Sequence, residues 1–310
     1  MSIYKTKPSQ PISEIYKIMK STSIAKQLKT NLYLCKKISV IMKFTLFFIV
    51  FFVGLSAVAQ QTAVIPSSYV AGNASVAYQD EWLPFDNPAA LGRMGSFGVG
   101  IIYENRYISP KLATKSINTW LPTKHINIGV GFSQFGYSEY NEMLASLSFG
   151  RRFGDRFSLG AEAVYYTMFI SSVSRYIGAF TAQVGAQVDL SDNFSLAFKV
   201  FNPTFSTVKG EYDKKALPTV LSLGSQYNIR QVVLWLVQFD KEISSPLRWA
   251  TGFHYYAAEE FIVRIGAYGY NDFRPTIGAG IRLDNWRFDL SADYNSVLGF
   301  SLLGSVGYKL

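Results

Sequence analysis

From Ser96 to Leu310, bulky apolar residues alternate with small or polar residues at period two, which is the pattern of β-strands with one apolar face. Val130 and Phe132, for example, alternate with Gly131 and Ser133. The pattern predicts about fourteen strands, at 96–106, 112–121, 125–137, 140–152, 156–170, 176–190, 193–203, 217–228, 231–242, 247–257, 260–270, 274–284, 286–296 and 300–310. Most are at or above the roughly 9–11 residues with which a tilted strand crosses a membrane.

The two faces of these strands differ in the same way almost throughout, with Gly, Ser, Gln and Asn on one face and bulky apolar residues on the other. A soluble β-sandwich also alternates, but its apolar faces pack against each other and its strands average about 5–6 residues. A polar interior and an apolar exterior are typical of an outer-membrane barrel. The pattern therefore predicts an all-β fold, a transmembrane antiparallel β-barrel of about 14 strands.

The predicted connections alternate between short and longer ones. Short turns fall at 153–155, 191–192, 229–230, 258–259 and 284–285, and longer links at 171–175, 204–216, 243–246, 271–273 and 297–299. Outer-membrane barrels have short periplasmic turns and longer extracellular loops. We assign the two sets accordingly, and the even strand count places both chain ends on the periplasmic side.

Aromatic residues stand near the ends of many predicted strands, where the interface girdles of a membrane barrel lie. They include Trp120, Tyr137, Tyr140, Phe149, Phe157, Tyr176, Phe194, Trp249, Phe261, Trp286 and Phe288. The last strand ends with alternating Val306, Tyr308 and Leu310, which resembles the C-terminal signal that the barrel assembly machinery reads.

The N-terminal region has the order of a secretory signal peptide. A basic start at Met42-Lys43 precedes the apolar run Phe44–Leu55, and Ala57-Val58-Ala59 predicts cleavage between Ala59 and Gln60. The apolar run is too short for a transmembrane anchor. We interpret 42–59 as the signal peptide and 1–41 as an extension upstream of the true start at Met42; the alternative is an unusually long basic region.

The net charge and the cysteine of the chain belong mainly to this leader and so say little about the mature part. The chain of 310 residues has a formal net charge of +9, but nine of its 30 Lys/Arg and one of its 21 Asp/Glu precede residue 60. The remainder is nearly neutral, so no nucleic-acid surface is predicted. The single cysteine, Cys35, also lies in the leader, which excludes disulfides and cysteine metal sites in the mature part and disfavours a lipoprotein anchor.

The segment before the first strand does not alternate and carries a motif. Gly72, Ala74-Ser75-Val76-Ala77, Asp80 and Asn87-Pro88-Ala89 with Leu91 follow one another in the order G-x-A-S-V-A, acidic residue, N-P-A-x-L. This stretch of about 20 residues resembles the N-terminal region of the superfamily of FadL-type fatty-acid transporters and the PorV/PorQ proteins of the Bacteroidota type IX secretion system. The predicted strand count and element order extend the resemblance, less specifically, over the mature chain.

The resemblance implies that residues 60–95 form a hatch, or plug, in the lumen of a barrel at 96–310. The hatch motif is Asp86, Asn87, Pro88 and Ala89; as a dipeptide Asn87-Pro88 favours a turn. A disordered tail is the alternative, but apolar residues such as Val76 and Phe85 favour burial. The loops are short, and the chain lacks the long apical loops that form an external groove in the fatty-acid transporters.

Strand alternation places eight charged side chains in the lumen, because a charge on the lipid face costs roughly 2–4 kcal/mol. They are Arg106, Glu162, Lys199, Arg264, Arg282, Arg287, Asp289 and Asp293. Arg282 lies close enough to pair with Asp289 or Asp293 across a hairpin. A structural salt-bridge network is one interpretation, and a selectivity element that contacts a solute or the hatch is the other.

No residue pattern predicts catalysis, a cofactor or a metal. His125 and His254 lie on separate strands without a second ligand at metal spacing, and no Ser/His/Asp or paired-acid arrangement is recognisable. Strand 231–242 is unusual because it is apolar on both faces. Its inward Leu234 and Leu236 are candidates either for packing on the hatch or for lining a hydrophobic passage.

Three functions remain open for this non-enzymatic, outer-membrane chain. The first is a FadL-like barrel whose plugged lumen passes or binds a small hydrophobic solute. The second is a PorV/PorQ-like accessory component of the type IX secretion system that acts through protein–protein contacts. The third is a structural barrel without transport. The expected partners are outer-membrane lipid, the barrel assembly machinery, and either hydrophobic small molecules or type IX secretion components.

Overall fold

The structure is a computed structural model that describes residues 63–79, 83, 85–172, 175–209, 214–243 and 245–310. The predicted extension at 1–41, the signal peptide at 42–59 and the cleavage site at Ala59-Gln60 lie outside the described residues. Among the described residues, no helix is long and apolar enough to cross a membrane.

Sixteen β-strands account for most of the described chain after residue 97. They are β1 Gly98–Asn105, β2 Ala113–Leu121, β3 Asn127–Gly136, β4 Tyr140–Phe153, β5 Phe157–Ile170, β6 Arg175–Ser191, β7 Phe194–Phe201, β8 Thr207–Lys209, β9 Lys214–Ala216, β10 Val220–Ile229, β11 Val233–Glu242, β12 Arg248–Tyr256, β13 Phe261–Gly269, β14 Arg274–Leu283, β15 Trp286–Asn295 and β16 Gly299–Lys309.

Fourteen of these strands form a closed antiparallel barrel, and β8 and β9 form a separate hairpin. Each barrel strand pairs with its neighbours along the chain, and β7 pairs with β10 across the hairpin. The barrel closes where β1 pairs with β16, from Gly98 opposite Lys309 to Asn105 opposite Leu302. The predicted fold class and strand order are confirmed.

The outer surface of the barrel is apolar and its inner surface is largely polar. Outward side chains such as Val130, Ile277 and Leu290 are 48%, 63% and 70% exposed, whereas inward Ser133 and Gln183 are buried. In water, an apolar surface of this extent is an aggregation hazard, whereas in lipid it is required. This arrangement excludes the soluble sandwich and agrees with the predicted inside-out pattern.

Two aromatic residues depart from the predicted interface girdles. The side chain of Trp120 is buried among Ala90, Leu91 and Met94, and the Tyr140 hydroxyl donates to Glu142 inside the barrel. Both residues stand at inward positions of their strands, so strand-end position alone did not predict which way they face. Most of the other rings, including Tyr176 and Trp286, are exposed on the outside, and Phe194 and Trp249 are half-buried.

The two ends of the barrel differ in what they carry. β1 begins and β16 ends at one end, which we call the terminal end, and short turns such as Asp284-Asn285 join strands there. The opposite end, the loop end, carries the longest connection, from Asn202 to Thr219. The sequence predicted a longer link at 204–216 without any strand in it, but this connection contains the hairpin β8–β9, whose three-residue strands are too short for period-two alternation to reveal.

Candidate functional site

The described residues between Ala63 and Phe97, which we call the N-terminal segment, run the length of the barrel lumen. At the loop end, the Ser133 hydroxyl donates to the Val64 carbonyl at 2.6 Å, and the Thr114 hydroxyl donates to the Ala63 carbonyl at 3.1 Å. At the terminal end, the Asn127 side chain donates to the carbonyls of Leu91 and Met94. The segment then continues into β1.

Most described side chains of the N-terminal segment are buried, so it packs into the lumen rather than projecting from the barrel. The buried apolar residues include Val64, Tyr69, Val70, Val76, Tyr78, Leu83, Phe85 and Leu91. On β11, Leu234 and Leu236 pack in one cluster with Tyr69, Val70 and Tyr78. These contacts correspond to the first of the two roles predicted for the leucines, packing against the segment.

Polar side chains of the barrel wall bind the backbone of the segment, whose described residues form no β-strand. The Ala71 amide donates to His254 Nε2 at 3.0 Å, and the Val76 amide donates to Gln238 Oε1 at 2.9 Å. Gln187 donates to the Ala77 carbonyl at 2.9 Å. Buried backbone groups need such partners, which gives the inward Gln, Asn and Ser residues a structural role.

The Asp86–Ala89 motif links two parts of the N-terminal segment, the motif itself and the stretch 75–76. The Asn87 side chain accepts from the Ala89 amide at 3.0 Å and so caps α1, the four-residue helix Pro88–Leu91. The same side chain donates to the Val76 carbonyl at 2.9 Å, and the Ser75 hydroxyl donates to the Asp86 carboxylate at 2.6 Å. Burial raises the pKa of the Asp86 carboxyl.

Helix α1 lies directly against the barrel wall, which explains one of the strand glycines. A Cβ placed on Gly160 of β5 would stand 2.2 Å from the Pro88 carbonyl carbon, closer than backbone atoms tolerate. Glycine permits this approach because it has no side chain. The helix is therefore seated on a surface that the wall leaves clear for it.

The lumen charges form ion pairs centred on β13 and β15. Asp289 accepts from Arg264 Nη2 at 2.6 Å and from Arg287 Nε at 2.8 Å, and the Ser305 hydroxyl adds a bond at 3.2 Å. The guanidinium groups of Arg264 and Arg287 also lie over the ring of Tyr69, at 5.4 and 4.8 Å from its centroid. This network joins the wall to the N-terminal segment through cation–π contacts.

The remaining predicted charges contact the segment or polar neighbours. Arg106 follows β1 instead of lying within it, and it binds Glu104 and donates to the Ile65 carbonyl, both at 3.0 Å. Lys199 donates to the Phe85 carbonyl at 3.3 Å. Glu162 accepts from Gln183 and Asp293 from Tyr268. In the β14–β15 register Arg282 stands opposite Arg287, and its predicted pairing with an aspartate stays a prediction.

An apolar group of residues fills the loop-end half of the lumen. This loop-end cluster consists of Val64, Phe85, Phe135, Leu144, Val164, Tyr166, Met168, Phe201, Val208 and Leu217. Its members come from the N-terminal segment, from the strands β3, β4, β5 and β7, and from the connection that carries β8 and β9. The alternation pattern did not single it out, because its members lie far apart in the sequence.

The hairpin β8–β9 covers the loop-end cluster and is bound at two points. Asn202, fully buried with a left-handed φ of 53°, accepts from Thr181 and Ser206 and donates to the Leu217 carbonyl. Lys215 donates to Glu142 at 2.7 Å and to the Tyr166 hydroxyl at 3.0 Å. Asn tolerates this φ better than most residues, so the base of the hairpin is held by a residue suited to it.

A cavity of about 80 Å³ adjoins the loop-end cluster. Its lining includes the apolar residues Ile65, Phe85, Phe201 and Val220. It also includes polar and charged residues, namely Asp86, Gln183, Lys199, Gln238, Asp240 and Arg248. The site is therefore a small space of mixed lining that includes Phe85 of the N-terminal segment. In the described ranges, no group of three or more potential ligand side chains is arranged to hold a metal ion.

Comparisons with solved structures identify similar folds. The toluene transporter TodX of Pseudomonas putida matches with a TM-score of 0.56 and 11% identity, over 82% of this chain and 98% of that one. The monoaromatic hydrocarbon channel CymD matches with 0.57 and 12%, over 79% and 97%. A FadL homologue of Pseudomonas aeruginosa matches with 0.54 and 11%, over 83% and 99%.

No family model and no curated protein sequence matches the chain. At these identities the structural matches establish the fold alone. The described residues of the chain form a closed fourteen-strand barrel whose fold is similar to that of these three proteins.

Proposed function

We propose that the protein is an outer-membrane channel that passes a small hydrophobic solute, with the N-terminal segment as its hatch. The observation that carries the proposal is the loop-end cluster, ten buried apolar residues inside a barrel lumen. Porin lumens that pass hydrophilic solutes are polar and filled with water. The fold supports the same class, since TodX and CymD are a toluene transporter and a monoaromatic hydrocarbon channel.

In this proposal the terminal end faces the periplasm and the loop end faces the outside. A solute reaches the cavity beside the hairpin β8–β9, moves into the loop-end cluster, and leaves toward the periplasm when the N-terminal segment shifts. In the proposed channel the segment blocks the lumen, and its backbone is held in place by hydrogen bonds to His254, Gln238 and Gln187. Some of these hydrogen bonds must exchange before a solute passes.

A role as an accessory component of type IX secretion remains the second hypothesis. It rests on the resemblance of the N-terminal motif around Asp86–Ala89, which the transporters share, so the motif does not separate the two roles. Purification of the barrel without partners from native outer membranes, together with normal protein secretion after gene deletion, would remove this hypothesis.

Uptake of radiolabelled toluene by whole cells tests the transport proposal. Cells that produce the protein in the outer membrane are expected to take up limiting toluene several-fold faster than cells without it, because lipopolysaccharide slows hydrophobic solutes. Uptake of a sugar of similar size is expected to stay unchanged. Phe180→Ala is the control variant, since this ring is 75% exposed on the lipid side.

Equal toluene uptake with and without the protein would contradict the transport proposal. Recovery of the protein in the soluble periplasmic fraction would contradict its placement in the outer membrane. In the control cells, Phe180→Ala is expected to match the unmodified protein.

A further inference from the structure

Phe85 adopts a backbone conformation that is rare for a large side chain. Its φ is +65°, in the left-handed region, which a bulky residue enters only when its surroundings hold it there. Two side chains of the barrel wall donate hydrogen bonds to the backbone of this turn. Lys199 donates to the Phe85 carbonyl at 3.3 Å, and Gln183 donates to the next carbonyl, that of Asp86, at 2.6 Å.

This strained backbone directs an aromatic ring into the loop-end cluster. Phe85 is only 1% exposed, and the cluster around it contains Phe135, Tyr166, Phe201 and Met168. Aromatic rings and a thioether favour a flat aromatic neighbour, through edge contacts and sulfur–ring contacts. The N-terminal segment thus places the Phe85 ring among side chains that favour contact with an aromatic ring.

The cavity beside Phe85 provides space into which its ring can move. Phe85 lines the cavity of about 80 Å³ as well as belonging to the cluster. An apolar cavity of about 150 Å³ is large enough to bind benzene. Together with the space that the Phe85 ring vacates, the cavity therefore approaches the size that holds one aromatic ring, and it leaves little room for a long chain.

We propose that Phe85 occupies, as a built-in substitute, the site at which a solute with one aromatic ring binds. This inference rests on the proposed function and names its binding site. The solute enters the cavity and replaces the Phe85 ring in the loop-end cluster. The strained turn between Phe85 and Asp86 then relaxes, and the bonds from Lys199 and Gln183 are released. Solute binding and movement of the hatch are in this way the same event.

Titration with fluorobenzene, followed by fluorine NMR of the full-length barrel in detergent, tests the site. In Phe85→Ala the competing ring is gone. Self-occupancy weakens the apparent affinity by the inverse of the fraction of time that the site is free, so its removal restores the affinity by the same factor. We expect Phe85→Ala to bind fluorobenzene about tenfold more tightly than the unmodified protein, which corresponds to a site free about one tenth of the time. Phe180→Ala is the control, because this residue lies on the lipid side. The variant shows how much fluorobenzene partitions into the detergent, and it is expected to show no gain in affinity.

Equal affinity in Phe85→Ala, Phe180→Ala and the unmodified protein would overturn the inference. Phe85→Leu is the second variant, because it keeps an apolar side chain and removes only the ring. If Phe85→Ala fails to fold, judged by heat-dependent gel mobility, Phe85→Leu is expected to show a smaller gain, and no gain would overturn the inference.

The two proposals fail separately. Tighter fluorobenzene binding by Phe85→Ala without any toluene uptake by cells supports the site and contradicts the transport function. Toluene uptake by cells without any gain in Phe85→Ala supports the transport function and contradicts the site.

Discussion

Deletion of residues 63–95 is expected to convert a closed barrel into an open pore. The N-terminal segment fills the lumen from Val64 at the loop end to α1 at the terminal end, and outside the loop-end cluster the wall behind it is largely polar. Without the segment, water reaches these polar side chains and ions can follow. Planar-bilayer recordings should show no steady current for the full chain and stable conducting steps for the deletion variant.

Heat-dependent gel mobility provides the control for this deletion, since a closed barrel migrates differently before and after boiling. A deletion variant that folds by this measure and still conducts no ions would show that other residues close the lumen. A full-length chain with the same steady conductance as the deletion variant would show that the segment does not block it.

Asp289→Asn is expected to cause the largest loss of stability of any single substitution in the wall. The side chains of Asp289 and Arg264 are 2% and 1% exposed, and Asp289 also binds Arg287. Removal of one partner from a buried ion pair costs about 3–5 kcal/mol, because charge is left without compensation. We expect a loss of this size in the free energy of unfolding by urea, followed by tryptophan fluorescence in lipid vesicles.

Asp272→Asn is the matched control for that loss. Asp272 pairs with Arg274 at 2.6 Å, but both side chains are accessible to solvent at the loop end. Solvent-exposed pairs contribute up to about 1 kcal/mol. Equal effects of the two substitutions would show that the Asp289 network is not buried as the structure describes.

The barrel itself could be predicted from the sequence because strand alternation is a local signal. Each predicted strand has a counterpart, and the largest difference in position is at β10, which begins at Val220 instead of 217. There the Asn202 side chain binds the Leu217 carbonyl, and the Asn202 carbonyl accepts from Thr219, so these residues stay in the connection. Each of these contacts joins residues at least fifteen positions apart, so it produces no periodic pattern in the sequence.

The site could be predicted only in part. Alternation placed Arg264 and Asp289 in the lumen, but their pairing depends on the barrel register between strands that are not consecutive. The partnership of His254 with the Ala71 amide depends on the path of the N-terminal segment, which has no repeat. Phe85 was predicted only as a residue that favours burial, because a positive φ at a phenylalanine has no sequence signature.

A reversible cross-link between the N-terminal segment and the wall tests the central claim most directly. A Cβ on Gly224 of β10 would lie 3.4 Å from the Ala77 Cβ, close to the roughly 3.5–4.5 Å of a disulfide. Cys35 is the only native cysteine and lies in the predicted leader. The measurement is toluene uptake by cells that carry Ala77→Cys/Gly224→Cys, before and after reduction. We predict that the disulfide forms, that it stops uptake, and that reduction restores it; unchanged uptake by the fully cross-linked barrel would contradict the account.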